Sequence, residues 1–241
     1  MSEWPPIMSG MRPPPLARGP GAPLRILVTG FAGFPGSPKN PTAKMMAALA
    51  SYRLRLALTG IRLEPHVLPV IYAEIAPRLV RLQKEIEPDA ILHFGVATRR
   101  TKFCVEARAL NRVSILHPDA SGATAPRRAI IAGAPMSLTS SVPCGLIAAE
   151  LRRNGFAAAV STDAGDYVCN QTLFLSLNQG HMQQNHAPLV GFVHVPPLAV
   201  RYRRGTGRFS LDDAVRAALV AIRILAPALR SRRALIHRPA P

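Results

Sequence analysis

The chain of 241 residues has 30 basic and 13 acidic residues, a formal charge of +17 at pH 7, and 48% of its residues are hydrophobic. No uncharged apolar run approaches the roughly 18 residues that a membrane span needs, which argues against a membrane protein. The three cysteines form no CxxC pair and no Cys/His cluster, which argues against a zinc site and favours free thiols in the cytoplasm. The charge is typical of proteins that bind anions, yet no aromatic residues interleave with the arginines, and nucleic-acid binding is therefore disfavoured.

Both termini are predicted to lie outside the folded domain. Residues 1–24 are rich in proline and contain no hydrophobic block of signal-peptide length, so we expect a disordered extension there. Residues 229–241 carry clustered arginines, which predicts a basic C-terminal tail. A single domain is expected over residues 25–228, a length that can bury one sizeable core.

The segments between these ends alternate between two patterns. Apolar β-branched runs, several of which end in glycine, predict strands at 25–30, 67–70, 90–95, 157–161 and 189–195. Helical periodicity and capping signals predict helices at 42–58, 72–86, 145–153 and 170–177, and a last helix that begins at Ser210. The alternation predicts an α/β fold, namely a single-domain α/β/α sandwich with a mostly parallel twisted sheet.

Chemically useful residues follow the predicted strand ends. A glycine-rich loop follows Gly30, two arginines follow Gly95, Cys169 follows the 157–161 strand, and His194 lies near the end of the last strand. Because reactive groups gather beyond the carboxyl ends of strands in open α/β sheets, one cleft can hold all four features. The irregular segment 96–139 indicates a functional loop, since long loops in compact domains usually have a function.

Cys169 is the candidate nucleophile, in the run TDAGDYVCNQTLF. A helix over 170–177 places its thiol at a helix N-terminus, where the partial positive charge favours the thiolate. His194 is the candidate base, because a buried imidazole in an otherwise apolar strand needs a partner. The third group should be a carboxylate or an amide that orients the base, and the irregular segment offers Glu106.

Each of these residues also has a plainer interpretation. On spacing alone, a single cysteine with apolar neighbours is more often a core residue than a nucleophile. A single histidine in a strand is likewise more often satisfied within the core, and the alternative interpretation of Glu106 with Arg108 is a surface ion pair of little value. Cys104 and Cys144 are interpreted as structural or incidental, because no histidine is suggestively placed near them.

The loop GFAGFPG after the first strand also has two interpretations. It matches neither GxxxxGK[ST] nor a GxGxxG that opens a helix, so phosphate binding is disfavoured. The loop offers Phe31 and Phe34, whose rings either pack against the core or grip an apolar ring of a ligand.

Five sequence blocks resemble, in order, the motifs of the pyroglutamyl peptidase I family, cysteine peptidases that remove an N-terminal pyroglutamate. TGFAGFPGSPKNPT is similar to the family's TGFxPFGGxxxNPS, and PDAILHFGVATRR is similar to PDxxxxxGQAGGR. EARALN resembles ERVAIN, AGDYVCN resembles AGTxVCN, and GFVHVPPL resembles GFIHVPxL. The blocks run from about residue 25 to residue 198. The resemblance implies the phosphorylase/hydrolase-like type of α/β/α sandwich.

The resemblance implies catalytic roles for the same three residues that the sequence pattern suggested. Cys169 would be the nucleophile, His194 the general base and acid, and Glu106 the acid that orients the imidazole. The implied reaction is acyl transfer to the thiol followed by hydrolysis, with no metal or organic cofactor. The implied partner is a peptide or small acyl-amide substrate, and the family likeness also suggests self-association into a homo-oligomer.

The same mapping implies a substrate pocket and shows where this chain departs from the motifs. Phe31 and Phe34 would flank the pyrrolidone ring, and Arg100 would lie near the carbonyl under attack. Val96 stands where the family has glutamine, and Thr98-Arg99 stands where it has two glycines. Loss of the glutamine removes a polar side chain from the presumed substrate wall and weakens discrimination for a lactam.

Three functional hypotheses follow from these observations. The leading one is a cytoplasmic cysteine exopeptidase that cleaves an N-terminal pyroglutamyl residue. The second is the same scaffold with altered acyl specificity, or a non-hydrolytic binding protein, because the pocket is changed at Val96. The third is anion or nucleic-acid binding through the basic surface.

Overall fold

A computed structural model describes residue 19 and residues 21–182, 187–198 and 209–236 of the chain. Most of the predicted extension at 1–24 lies outside these residues. Eight strands and six helices occur in the described part: β1 (Leu24–Phe31), α1 (Pro41–Ala50), α2 (Arg53–Ala57), β2 (Ile61–Leu68), α3 (Tyr72–Ile86), β3 (Ala90–Val96), β4 (Phe103–Glu106), β5 (Arg108–Leu110), β6 (Ser137–Thr139), α4 (Cys144–Arg153), β7 (Ala158–Ser161), α5 (Val168–Met182), β8 (Leu189–Val195) and α6 (Leu211–Ile236).

The main sheet has six strands in the order β2-β1-β3-β8-β4-β7. Strands β1, β2, β3 and β8 are parallel to one another, whereas β4 is antiparallel to β8 and carries β7 parallel to itself. The sheet is therefore mostly parallel, as predicted. The strands β5 and β6 form a separate antiparallel pair.

Two apolar layers cover the sheet, because successive side chains of a strand point to opposite faces. Ile26 and its same-face neighbours pack against α1, α4 and α6, and Leu27 on the other face packs against α3 and α5. Both residues are fully buried. The predicted α/β/α sandwich is thus confirmed.

Two elements near the N-terminus differ from the prediction. The single helix expected over 42–58 is interrupted after Ala50, because the Ser51 hydroxyl and amide both donate to the Ala48 carbonyl and end the helix. The strand expected at 67–70 begins earlier, at Ile61. This strand lies at the edge of the sheet, where one face is half exposed and Pro65 is tolerated.

The irregular segment and the C-terminus also differ from the prediction. Segment 96–139 contains β4, an interior strand next to the edge strand β7, whose four residues are too few to show a period. The predicted boundary at residue 228 falls inside α6, which continues to Ile236. Leu229 is buried there, and Arg233 is buried and binds the Asp89 carboxylate at 2.8 Å. The expected basic tail is therefore helical as far as residue 236, and residues 237–241 lie outside the described part.

Candidate active site

A cavity of about 390 Å³ opens where β1, β3 and β8 end and α5 begins. Six of the seven side chains predicted for the site line this cavity: Phe31, Phe34, Val96, Arg100, Cys169 and His194. The seventh, Glu106, does not line the cavity; it is fully buried and contacts the His194 ring. We expected Cys169 to follow the carboxyl end of a strand that runs parallel to the others. This expectation was wrong for the direction of the strand, because β7 runs opposite to β8, so the loop after β7 must return to the cavity before Cys169.

Cys169 is the second residue of α5 and is half-buried. Its sulfur lies directly over Gly95, where an added Cβ would be 2.9 Å from Sγ and 2.7 Å from the Phe192 ring. Gly95 is in register with His194 on the neighbouring strand. The absence of a side chain at Gly95 therefore lets the thiol settle close to the sheet beside the histidine.

His194 and Glu106 form a buried hydrogen-bonded pair. The distance from His194 Nδ1 to Glu106 Oε1 is 2.8 Å, and the two side chains are 6% and 0% exposed. Strand β4 makes this contact possible, because its antiparallel pairing with β8 sets Cys104 opposite His194 and brings Glu106 close to the ring. An ionised carboxylate can only accept, so Nδ1 carries the proton and Nε2 is the basic nitrogen.

Arg100 neutralises the buried carboxylate. Its Nη1 donates to Glu106 Oε1 at 2.5 Å, and its Nη2 donates to the Asp163 carbonyl at 2.6 Å. A buried charge is tolerated only when it is paired and hydrogen-bonded. The resemblance implied that Arg100 lies near the carbonyl under attack. Arg100 does line the cavity, but its guanidinium is bound to Glu106.

Burial sets the protonation states of Cys169 and His194. Desolvation and the nearby charge of Glu106 raise the pKa of the Cys169 thiol to about 12, against smaller opposing effects of Arg100 and of a backbone hydrogen bond. Desolvation also lowers the pKa of His194, although the bond to Glu106 opposes this change. The helix N-terminus was expected to yield a thiolate. Desolvation acts against this effect, and the two pKa shifts together favour a neutral thiol and a neutral imidazole as the resting pair.

The cavity has an aromatic wall. Phe31 ends β1, is buried, and packs against Phe192 with 6.2 Å between ring centroids. Phe34 lies on the glycine-rich loop and packs against Tyr167 at 5.9 Å. Tyr167 was missed from the sequence, although it stands two positions before Cys169 in the AGDYVCN block.

Asn170 is a second residue that sequence reasoning missed. It is fully buried, accepts a hydrogen bond from the Leu110 amide at 2.9 Å, and donates to the carbonyls of Leu110 and Arg112 at 2.8 Å. These bonds tie the start of α5 to β5 and so position the neighbouring Cys169. The signal was its place in the VCN block, directly after the cysteine.

The other two thiols lie beside the buried residues of the site but do not line the cavity. Cys104 is buried in β4, and Cys144 begins α4, where its thiol donates to the Glu106 carbonyl at 3.5 Å. Burial raises the pKa of Cys144. Among the described residues, no three or more His, Cys, Asp or Glu side chains are grouped so that they could hold a metal ion. The helices of the described part all fall short of the length and apolar character that a membrane crossing needs.

Comparison with known proteins places the chain among peptidases. The model of the pyroglutamyl peptidase family matches residues 24–227. A pyrrolidone-carboxylate peptidase of Pyrococcus furiosus is 32% identical over 173 residues, which are 72% of this chain and 81% of that protein. The corresponding protein of Chromobacterium violaceum is 30% identical over 201 residues, which are 83% and 91% of the two chains.

Solved structures agree with these sequence matches. A mutant pyrrolidone carboxyl peptidase from Pyrococcus furiosus superimposes with a TM-score of 0.76 at 28% identity, over 86% of this chain and 100% of that one. The pyrrolidone carboxyl peptidase from Thermococcus litoralis gives a TM-score of 0.75 at 26% identity, over 86% and 96% of the two chains. The family model matches most of the chain, and the fold agrees with that of solved members. The chain therefore belongs to the pyroglutamyl peptidase family of cysteine peptidases.

Proposed function

We propose that this protein hydrolyses the amide bond that follows an N-terminal pyroglutamyl residue, with Cys169 as nucleophile, His194 as general base and acid, and Glu106 as the orienting acid. The observation that carries the proposal is the Glu106–His194 hydrogen bond of 2.8 Å behind the Cys169 thiol, at the wall of one cavity. Nucleophile, base and orienting group are the three parts that covalent acyl transfer requires.

The first step is thiol attack. His194 Nε2 takes the proton from Cys169 Sγ as the sulfur bonds to the pyroglutamyl carbonyl carbon, so the thiolate exists only in partnership with the imidazolium. Glu106 stabilises the positive ring through Nδ1. This order of events suits the neutral resting pair, because a pKa of about 12 leaves little free thiolate near neutral pH.

Breakdown of the tetrahedral intermediate and deacylation follow. The first amide groups of a helix have no partner within the helix, and those at the start of α5 can hold the oxyanion. His194 then gives its proton to the leaving amine as the C–N bond breaks and a thioester remains. A water molecule, deprotonated by His194, attacks the thioester and releases pyroglutamate and the free thiol.

The shape of the cavity supports a small cyclic acyl group. Its volume of about 390 Å³ exceeds that of a five-membered lactam ring, and the aromatic side chains of Phe31, Phe34 and Tyr167 line it. Val96 contributes a further apolar surface. In this pocket, ring recognition depends on aromatic contact and backbone groups, because a valine side chain offers no hydrogen bond to a lactam.

The test is release of a chromophore from a pyroglutamyl anilide. The wild-type enzyme should release it, Cys169→Ala should not, and Cys144→Ala, a matched removal of another half-buried thiol, should retain activity. A folded, pure protein that releases nothing would refute the proposal. If such a protein still bound pyroglutamate by calorimetry, the result would support a non-hydrolytic binding protein.

Two further properties are proposed on the same basis. We infer a cytoplasmic location, which suits three free cysteines because a reducing compartment preserves them. We also infer a homo-oligomer, which would cover large exposed apolar side chains such as Leu58, 90% exposed, and Met136, 82% exposed. Light scattering of the purified protein measures the oligomeric state directly, and a monomer at micromolar concentration would refute this inference.

A further inference from the structure

Arg99 is an exposed residue of the loop after β3, and it lines the mouth of the cavity between Thr98 and Arg100. Its role is not explained by the triad or by the aromatic wall. The inference below rests on the proposed function, because it concerns the substrate group that lies beyond the scissile bond.

The other charged side chains that line the cavity each contact a partner. Arg100 binds the Glu106 carboxylate at 2.5 Å and the Asp163 carbonyl at 2.6 Å. The Asp163 carboxylate in turn pairs with Arg112 at 3.5 Å. Both Arg100 and Asp163, which line the cavity with His194, are therefore held by other groups of the protein.

Another contact on the rim is weaker, because it is an ion pair only when His117 is protonated. The Asp166 carboxylate lies 3.8 Å from His117 Nδ1, and both side chains are largely exposed. Arg99 is different, since the described residues provide it with neither an ion pair nor a hydrogen bond. Among the described charged side chains that line the cavity, it alone has no protein partner.

We propose that Arg99 is a specificity residue that binds a carboxylate of the substrate just beyond the scissile bond. The planar guanidinium presents paired N–H donors that match a carboxylate in a bidentate manner. The acyl part enters the apolar end of the cavity, so the leaving part of the peptide must extend past the mouth. The preferred substrates therefore carry an anionic group there, either an acidic side chain or a free C-terminal carboxylate.

The charge of the whole chain acts in the same direction. A formal charge of +17 draws anionic substrates toward the protein and repels cationic ones. This long-range effect does not depend on any one arginine, whereas the proposed contact does. A control that removes one distant positive charge separates the two.

The experiment compares kcat/KM for matched pairs of substrates. Pyroglutamyl-glutamyl-amide against pyroglutamyl-glutaminyl-amide tests a side-chain carboxylate, and pyroglutamyl-alanine against pyroglutamyl-alaninamide tests a terminal one. The enzymes are the wild type, Arg99→Gln, Arg99→Glu and the control Arg55→Gln, which removes an exposed arginine on α2 that is absent from the cavity lining.

The wild type should prefer the anionic member of at least one pair by about fivefold, a size between that of an exposed ion pair and a charged hydrogen bond. Arg99→Gln should abolish this ratio, Arg99→Glu should invert it, and Arg55→Gln should keep it. The ratio should also shrink as salt rises from about 20 to 500 mM, because the mouth is exposed to solvent.

Two results would overturn the inference while leaving the proposed function intact. One is an equal ratio in the wild type and in both Arg99 variants, with every substrate cleaved. The other is an equal loss of the ratio in Arg55→Gln, which would assign the preference to the net charge. Failure of the wild type to cleave any of the four substrates would refute the proposed function and the inference together.

Discussion

Replacing Gly95 by alanine tests the proposed arrangement of the thiol most directly. A Cβ at this position would lie 2.7 Å from the Phe192 ring and 2.9 Å from Cys169 Sγ. Carbon atoms in ordinary contact are about 3.5–4.0 Å apart, so the overlap is roughly 0.8 Å. The methyl group must therefore push the ring, the sulfur or both away from the sheet.

The overlap sets the expected size of two effects. Overpacking of a filled core costs about 1–3 kcal/mol in the free energy of unfolding. For a domain of this size, that corresponds to a fall in Tm of about 2–12 °C. Displacement of a reacting atom by up to about 1 Å lowers the rate by roughly 100-fold, because the reaction depends on near-attack geometry.

The assay is kcat/KM with a pyroglutamyl anilide, together with thermal unfolding of the same samples. Two other glycines serve as controls. Gly145→Ala should change little, since nothing lies within 4 Å of the added Cβ, whereas in Gly191→Ala the Cβ would overlap a Val142 methyl group instead of the sulfur. Gly191→Ala should lose stability with a much smaller loss of activity. A folded Gly95→Ala enzyme of wild-type activity would refute the proposed position of the sulfur.

Three further predictions concern titrating groups. The Glu106 carboxylate raises the pKa of His194, so in Glu106→Gln the acid limb of the pH profile of kcat/KM should move to lower pH. The plateau of kcat/KM should fall roughly 100-fold. An acid limb at the wild-type pH would contradict the proposed coupling of Glu106 to His194. Alkylation of Cys169 by iodoacetamide should keep accelerating with pH beyond the ordinary thiol pKa of 9.0, because burial raises its pKa to about 12, and a plateau below pH 8 would contradict a neutral thiol. Burial lowers the pKa of His93 from 6.5 to about 3. Below pH 6.5 the unfolded protein therefore binds a proton at this histidine that the folded protein does not bind. The free energy of unfolding should then fall by up to about 1.4 kcal/mol per pH unit as the pH drops below 6.5. Urea titrations of His93→Gln should show a smaller acid dependence than the wild type.

His93 illustrates a contact that sequence reasoning could not supply. It lies in the apolar strand β3, where only its polarity distinguishes it. The structure places its Nδ1 2.7 Å from Thr29 Oγ1 and its Nε2 3.0 Å from Ser176 Oγ. The partners are 64 and 83 residues away in the chain, so no local pattern could have connected them.

Strand β4, which carries Glu106, is a second feature that local sequence patterns could not predict. Glu106 was selected from the sequence as a member of the site, but its strand was not predicted, since four residues carry too little periodicity. Only pairing with β8 and β7 makes the segment a strand. The desolvation that raises the pKa of Cys169 could not be foreseen either, because helix position is visible in the sequence, whereas desolvation depends on the whole surrounding packing.

The sequence alone determined the alternation of strands and helices, the α/β/α class, the family, and the identities of six residues that line the cavity. These properties follow from local periodicity and from short motifs, both of which are written in consecutive residues. Tertiary structure alone decided the antiparallel direction of β4 and β7, the position of the Cys169 sulfur over Gly95, the binding of Arg100 to Glu106, and the lack of a partner for Arg99 among the described residues. Each of these depends on distances between segments that are remote in the chain, and packing of the complete core sets those distances.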